Sequence, residues 1–112
     1  MLYIAPSPAV PSIPKRPLVC KALTRESVSL EWNEPEHDGG SKILGYMIEK
    51  REPTRLSWSR VMKSMNEDTK VKIEQLIEGS DFYFRVAAFN KIGTGEFLEL
   101  PDPVKIKSPY GI

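Results

Sequence analysis

The chain lacks several features on which membrane proteins, secreted disulfide-linked proteins and nucleic-acid-binding proteins depend. Among its 112 residues there is one cysteine, Cys20, so no internal disulfide is possible. A lone thiol is typical of reducing compartments, which indicates an intracellular chain. No apolar run reaches the roughly 20 residues that cross a bilayer. Residues 1–10 are interrupted by Pro6 and Pro8 and lack the basic start and apolar middle of a signal peptide.

Net charge is also almost absent. The chain has 16 lysines and arginines against 15 acidic residues, which gives +1 at pH 7. No global field therefore draws it to nucleic acid or anionic lipid, and we expect neither as a partner. A chain of this length is expected to form one domain with its own core, and is too short for a catalytic domain plus a substrate domain.

The strongest secondary-structure signal lies in residues 76–95, with the sequence LIEGSDFYFRVAAFNKIGTG. Apolar side chains recur there at every second position, which is the period of a strand and not of a helix. Glycine-containing turns precede the strand at 78–80 and follow it at 90–95. We therefore predict a buried strand whose inward side chains are Phe82, Phe84, Val86 and Ala88.

The rest of the chain alternates in shorter segments. Further strands are predicted at 18–23, 27–33, 43–51, 58–63 and 69–75. A last strand is broken by Pro101 and Pro103, which confines it to a sheet edge. Seven short strands without a helical period predict an all-β fold, a seven-stranded antiparallel β-sandwich. Predicted inward residues include Val28, Leu30, Trp32, Leu44, Tyr46, Ile48, Val71, Ile73, Val104 and Ile106.

Half of the ten prolines lie near the N-terminus, within residues 1–17. Proline donates no backbone hydrogen bond and fixes φ, so this segment is predicted not to pair within a sheet. We therefore predict a proline-rich linker arm at 1–16, a domain at 17–109 and a short C-terminal tail at 110–112.

The linker arm contains one short motif that binding proteins use. Pro11, Pro14 and Arg16 fit the P-x-x-P-x-basic pattern that SH3 domains bind as a polyproline II helix. Such patterns often arise by chance in linkers. A stiff spacer is therefore the preferred interpretation, and an SH3 ligand is the alternative.

The polar groups near the glycine turns form no catalytic pattern. His37 beside Asp38 resembles a base with its orienting acid, but no motif places a nucleophile near them. Cys20 with His37 falls short of the three or four ligands that zinc needs. The segments 39–42 and 93–95 lack the strand-to-helix setting of phosphate-binding glycine loops. We therefore predict no catalytic residue, no cofactor site and no metal site.

The outer face of the sheet that contains the 76–95 strand is the candidate for protein contact. Aromatic, methionine and arginine side chains are enriched at interfaces. Strand parity predicts that several such side chains, Met62 among them, point outward here. A cation–π stack of Trp58 on Arg85 would cover the sheet, and we prefer that role for these two residues. The candidate contact residues are Met47, Trp58, Tyr83, Arg85 and Phe89.

Several short motifs occur together in one order. They are SVSLEW at 27–32, DGGS at 38–41, GYMIE at 45–49, Trp58, LIEG at 76–79, FRVAAFN at 84–90 and GTG at 93–95. In this combination the sequence resembles a fibronectin type III domain over about residues 17–109. The DGGS turn and the FRVAAFN run are most similar to the intracellular muscle subgroup, found in titin, twitchin and myosin-binding proteins. The resemblance implies a three-stranded sheet facing a four-stranded one.

One position departs from the pattern of that family. Its members usually have a tyrosine three residues after the glycine of the Leu-x-x-Gly motif, with the hydroxyl bonded to the backbone. That position is Phe82 here, and a register with Tyr83 in its place would turn Phe84 and Val86 to solvent. We predict a corner without the hydroxyl bond, a loss of about 1 kcal/mol.

The resemblance implies a noncatalytic structural and protein-binding module of a larger intracellular muscle protein, a spacer and docking surface in the sarcomere or cytoskeleton. Expected partners are sarcomeric or cytoskeletal proteins, with immunoglobulin-like or fibronectin type III neighbours in the same chain, and the isolated domain is expected to be a monomer. Two alternatives stay open, an extracellular adhesion or receptor module and an auxiliary domain of a giant kinase. The unpaired Cys20 and the lack of an Asn-x-Ser/Thr glycosylation acceptor disfavour the extracellular module.

Overall fold

The structure is a computed structural model that describes residues 7–110, so arm residues 1–6 and tail residues 111–112 lie outside it. Regular structure in this range consists of β-strands, and no described helix is long and apolar enough to cross a membrane. The strands are β1 (Lys15–Lys21), β2 (Val28–Asn33), β3 (Gly45–Arg51), β4 (Ser59–Ser64), β5 (Lys70–Ile73), β6 (Asp81–Phe89), β7 (Leu98–Glu99) and β8 (Val104–Lys105).

Two antiparallel sheets face each other. The smaller sheet has the order β1-β2-β5, and the larger sheet has the order β4-β3-β6-β7, with β8 also paired to β6. β3 pairs with β6 along its whole length, from Gly45 opposite Phe89 to Arg51 opposite Tyr83. The predicted all-β sandwich is therefore confirmed, with the 76–95 strand at the centre of the larger sheet.

The inward rows of both sheets meet in one apolar layer. Leu30 of β2, Ile48 of β3 and Phe84 of β6 have no exposed surface. Trp32 and Tyr46 contact each other edge to face, with ring centroids 5.1 Å apart. Removal of this apolar surface from water stabilises the sandwich by about 25 cal/mol for each Å².

The corner before β6 has the predicted register. Phe82 points inward and is 5% exposed, and its ring centroid lies 6.0 Å from that of Phe84. The Lys50 ammonium caps the Phe82 ring at 4.9 Å. Tyr83 lies on the outer face opposite Arg51. The apolar ring of Phe82 therefore occupies the position at which the family usually has a tyrosine.

The last strand is broken where its prolines predicted a break. β7 and β8 both pair with the edge of β6 that faces away from β3. Pro101 and Pro103 lie between these two strands, where a missing N–H removes no ladder hydrogen bond. Ile106 follows β8 and is fully buried, as predicted.

Two predicted side-chain directions on the larger sheet are wrong. Leu44, predicted inward, precedes β3 and is 42% exposed. Met62, predicted outward, lies opposite Ile48 and packs against the core. The register between β3 and β4 shifts between Ile48 and Glu49, which places one extra residue in β4. Such a bulge reverses the inward and outward alternation on its far side.

The N-terminal segment differs from the predicted free linker. β1 begins at Lys15, inside the predicted arm 1–16. Upstream of this strand, the rings of Pro11 and Pro14 are fully buried against the domain. The prediction that the arm joins no sheet is therefore wrong for Lys15 and Arg16, and the buried rings of Pro11 and Pro14 show that this part of the arm is not a free spacer. Proline lacks a donor, but its carbonyl still accepts hydrogen bonds and its ring is apolar surface that gains from burial.

Candidate contact surface

The structure divides the five predicted contact residues into two groups. Trp58, Tyr83 and Arg85 lie half-buried on the outer face of the larger sheet. Met47 and Phe89 belong to the same face but are buried, at 6% and 5% exposure. The predicted accessibility is therefore wrong for Met47 and Phe89, whereas the other three side chains have surface that a partner protein can reach.

Two arginines alternate with three aromatic rings on this face. The order is Tyr83, Arg51, Trp58, Arg85 and Phe97, with successive guanidinium-to-ring distances of 4.7, 5.2, 4.3 and 4.0 Å. A guanidinium within about 6 Å of a ring is attracted by the electrons of its face. We call these five residues the arginine–aromatic stack. The predicted contact between Trp58 and Arg85 is confirmed.

Sequence reasoning missed two members of the stack. The alternation of β3 points Arg51 outward, but alternation does not say which rings a long side chain reaches. Phe97 precedes the two-residue strand β7, in a segment too short to show a period. Neither residue carried a signal of its stacking partners in the sequence.

An acidic side chain fixes Arg85, one of the two arginines of the stack. Arg85 Nε donates a hydrogen bond to Glu49 Oε1 at 2.8 Å, and Arg85 Nη2 donates to the same oxygen. The two side chains are 22% and 19% exposed, so water screens the pair only partly. Glu49 and Arg85 face each other across β3 and β6, with Arg60 and Glu99 beside them on the outer strands. A row of alternating charge therefore crosses the whole sheet.

Phe89 is buried because its ring lies on the backbone of the neighbouring strand. A Cβ atom at Gly45 would come 3.0 Å from the Phe89 ring and 1.8 Å from the Ser64 carbonyl oxygen. Lys63 lies opposite Met47, and its ammonium is 4.6 Å from the Phe89 ring centroid. The Lys63 side chain thus crosses this half of the face. Alternation predicts that a side chain points outward, but not that a neighbouring strand covers it.

The groups considered for chemistry lie apart from one another. His37 is exposed, and its backbone N–H donates to Ser12 Oγ at 3.0 Å. Cys20 lies half-buried in β1 beside the core, and burial raises the pKa of its thiol to about 11. The thiol is therefore protonated near neutral pH, which is its unreactive form. Within residues 7–110, no three His, Cys, Asp or Glu side chains are grouped so as to hold a metal ion.

Two facing antiparallel sheets, one with a broken last strand, define an immunoglobulin-like β-sandwich domain. A model of the fibronectin type III domain matches residues 12–100. The chain belongs to the fibronectin type III family. The matched region begins at 12, inside the predicted arm, which agrees with the burial of Pro14.

The chain is similar to proteins of muscle. It is 37% identical to the titin homolog of Caenorhabditis elegans over 89 residues, or 80% of this chain. It is 34% identical to myosin-binding protein H of Gallus gallus over 90 residues, again 80% of this chain. Among solved structures it is similar to the twitchin kinase region of C. elegans, with a TM-score of 0.80 and 38% identity over 90% of this chain. These likenesses group it with the fibronectin type III domains of intracellular muscle proteins.

The chain spans only a small part of these relatives. Its share of the titin homolog rounds to 0%, and it covers 17% of myosin-binding protein H. It covers 17% of the twitchin kinase chain, whose described parts are Fn31, NL, kin, CRD and Ig26.

Proposed function

We propose that this chain is a noncatalytic structural and protein-interaction module of a larger intracellular muscle protein, where it acts as a spacer and docking surface in the sarcomere or cytoskeleton. The observation that carries the proposal is the family match over residues 12–100, together with long muscle relatives of which such a domain is a small part. Its partners are sarcomeric or cytoskeletal proteins. Myosin is the first candidate, because one relative is named for binding it.

The docking surface is the exposed part of the arginine–aromatic stack. Its five side chains are half-buried, so each combines ordered packing with surface that a partner can cover. Tryptophan, tyrosine and arginine are the residue types that contribute most to binding when a partner buries them. The hydrogen bonds of Arg85 to Glu49 and of Arg51 to the Arg55 carbonyl hold these side chains before a partner arrives. Binding therefore costs less side-chain entropy than it would if these side chains were mobile in the free domain.

The spacer role is supported by the way in which the stack braces the larger sheet. Its side chains come from β3, from β6 and from the segments that precede β4 and β7. Each cation–π contact at an exposed site contributes about 0.5–1 kcal/mol. Together these contacts tie the strands through their side chains as well as through the backbone ladder, which suits a domain that must keep its shape.

Cosedimentation of the purified chain with myosin filaments and, separately, with F-actin tests the docking role. We expect the wild-type chain to pellet with at least one filament and Trp58→Ala to bind about fivefold more weakly or worse, because loss of a central aromatic anchor costs about 1 kcal/mol or more. Lys70→Ala is the matched control, since Lys70 is exposed on the outer face of the smaller sheet. Absence of pelleting with both filaments, or equal binding by the two variants, would contradict the docking role.

A second candidate is an auxiliary domain beside a kinase. It is favoured by the likeness to the twitchin kinase region, which contains a fibronectin type III domain and an immunoglobulin domain in one chain with the kinase. The coding sequence on either side of this chain separates the two candidates. Immunoglobulin-like or fibronectin type III neighbours on both sides support the spacer, whereas an adjacent kinase domain supports the auxiliary role.

A further inference from the structure

Residues 7–14 of the N-terminal arm, which precede β1, lie along the turn that joins β2 to β3 and are hydrogen-bonded to it. The Ala9 N–H donates to the Gly39 carbonyl and the Ser12 N–H donates to the His37 carbonyl, both at 2.9 Å. In return the His37 N–H donates to Ser12 Oγ at 3.0 Å. The backbone of the arm is therefore hydrogen-bonded to the backbone of the β2–β3 turn.

Asn90, the residue after β6, ties the arm to two loops at once. Its side chain is 4% exposed, and its Nδ2 donates at 2.8 Å to the carbonyls of both Ala9 and Asp38. Its Oδ1 accepts hydrogen bonds from the N–H groups of Ile92 and Gly93 at 2.9 and 3.2 Å. One amide thus joins the arm, the β2–β3 turn and the loop after β6. We call this set of contacts the Asn90 clasp.

Two glycines leave room for the backbone of the arm. A Cβ atom at Gly39 would come 2.1 Å from the Ala9 carbonyl oxygen, and one at Gly95 would come 2.0 Å from the Pro11 carbonyl oxygen. Gly39 also has a positive φ of 82°, whereas Gly95 is required here for space alone. A methyl group at position 95 would therefore push the arm away at Pro11 without straining the backbone that carries it.

The same arm carries the P-x-x-P-x-basic pattern. An SH3 domain takes up such a segment by covering its proline rings with an aromatic groove. In this structure the rings of Pro11 and Pro14 are fully buried, while Arg16 is exposed. The domain itself therefore occupies the surface that an SH3 domain would need, and a detached arm would expose it.

We propose that residues 11–16 are a concealed SH3 ligand, held shut by the Asn90 clasp, by the fit of Pro11 against Gly95 and by the pairing of Lys15 with Asn33 at the start of β1. The apparent affinity of such a ligand is its intrinsic affinity multiplied by the fraction of molecules whose arm is detached. Any change that detaches the arm raises binding without altering the motif. This role goes beyond the docking role, since it uses the arm and not the arginine–aromatic stack.

Gly95→Ala in the full chain tests the proposal, with a purified SH3 domain that prefers P-x-x-P-x-R ligands as the probe. We expect calorimetric titration to show binding at least about tenfold tighter than to the wild-type chain, because the detached fraction rises in proportion. Adding Arg16→Ala to Gly95→Ala removes the basic contact and should abolish binding. Hydrogen exchange at the Ser12 amide reports whether the arm has detached, and Asn90→Ala is the second variant if it has not.

Val71→Ala is the control for general destabilisation, because Val71 packs on the core from β5 and is not part of the Asn90 clasp. It should bind the SH3 domain no better than wild type. The proposal is overturned if neither Gly95→Ala nor Asn90→Ala detaches the arm, if the variant that detaches it binds no better than wild type, or if Val71→Ala binds as well as that variant. Trp58→Ala leaves the arm untouched, so failure of filament docking and failure of this proposal are separate results.

Discussion

The two ends of β6 are fastened in different ways. At its start, Phe82 closes the corner with a ring that is 5% exposed and packs beside Phe84. Directly after its end, Asn90 closes three segments with four hydrogen bonds from one buried amide. Phe82 therefore acts through apolar burial, whereas Asn90 acts through hydrogen bonds.

The difference has consequences for how each end loosens. An apolar ring loses its contacts gradually as its surroundings shift, whereas a hydrogen bond fails once its atoms are displaced or misaligned. All four bonds at Asn90 share one side chain, so the arm, the β2–β3 turn and the loop after β6 are expected to loosen together. Loss of the Asn90 hydrogen bonds should not loosen the Phe82 end, because Phe82 shares none of the partners of Asn90.

Phe84 lies between the two ends of β6, and its replacement is expected to reduce the free energy of unfolding most. It has no exposed surface, so Phe84→Ala is expected to lower the free energy of unfolding by about 3–5 kcal/mol through lost burial and a cavity. Urea denaturation followed by tryptophan fluorescence measures the loss. A smaller loss than that of Asn90→Ala would show that the apolar row of β6 does not dominate stability.

Asn90→Ala is the next largest change. It leaves two carbonyls and two N–H groups without their partner, and we expect a loss of about 2–3 kcal/mol. Asn33→Ala is the matched control, because the Asn33 amide makes a single exposed hydrogen bond, to the Arg16 carbonyl at 2.9 Å. The same denaturation series compares them, and equal losses would mean that Asn90 is not a clasp.

Phe82→Tyr sharpens the comparison at the other end. It supplies the hydroxyl that the family usually has at this corner, and we expect a gain in the free energy of unfolding of about 1 kcal/mol from one new hydrogen bond. The thermal midpoint should rise accordingly. A lower midpoint would indicate that the corner is closed too tightly around the phenylalanine ring to accept a hydroxyl.

Ser12→Ala has the smallest expected effect. Its hydroxyl accepts from the His37 N–H and donates to the His37 carbonyl at an exposed position. We expect a loss of about 0.5 kcal/mol, at the low end for a solvent-exposed hydrogen bond. A loss as large as that of Asn90→Ala would show that Ser12, and not Asn90, makes the main contact that holds the arm.

Much of the fold could be predicted because burial follows strand parity. The inward row of β6 and the register that places Phe82 in the corner follow from the alternation of apolar residues. The extra residue in β4 could not be predicted, since one inserted residue leaves no mark in a six-residue strand. The burial of Pro11 and Pro14 could not be predicted from their lack of hydrogen-bond donors, which limits pairing in a sheet but not packing.

The contact surface was predicted less completely than the fold. The stack of Trp58 on Arg85 followed from parity and residue type, and the structure contains it. Met47 and Phe89 are covered because Lys63 crosses them from β4, a contact between strands that are separate in sequence. Asn90 is the last residue of the FRVAAFN motif, but only the folded chain brings the Ala9 carbonyl to its amide.

Hydrogen exchange in wild type and Asn90→Ala tests most directly whether the two ends of β6 are fastened independently. The Ser12 amide, bonded to the His37 carbonyl, reports on the Asn90 end, and the Gly79 amide, bonded to the Ile106 carbonyl, reports on the Phe82 end. We predict that Asn90→Ala speeds exchange at Ser12 by about tenfold or more and leaves Gly79 at the wild-type rate, because the exposed turn that contains Gly79 exchanges by local opening. Equal acceleration at both amides, or none at Ser12, would contradict this account.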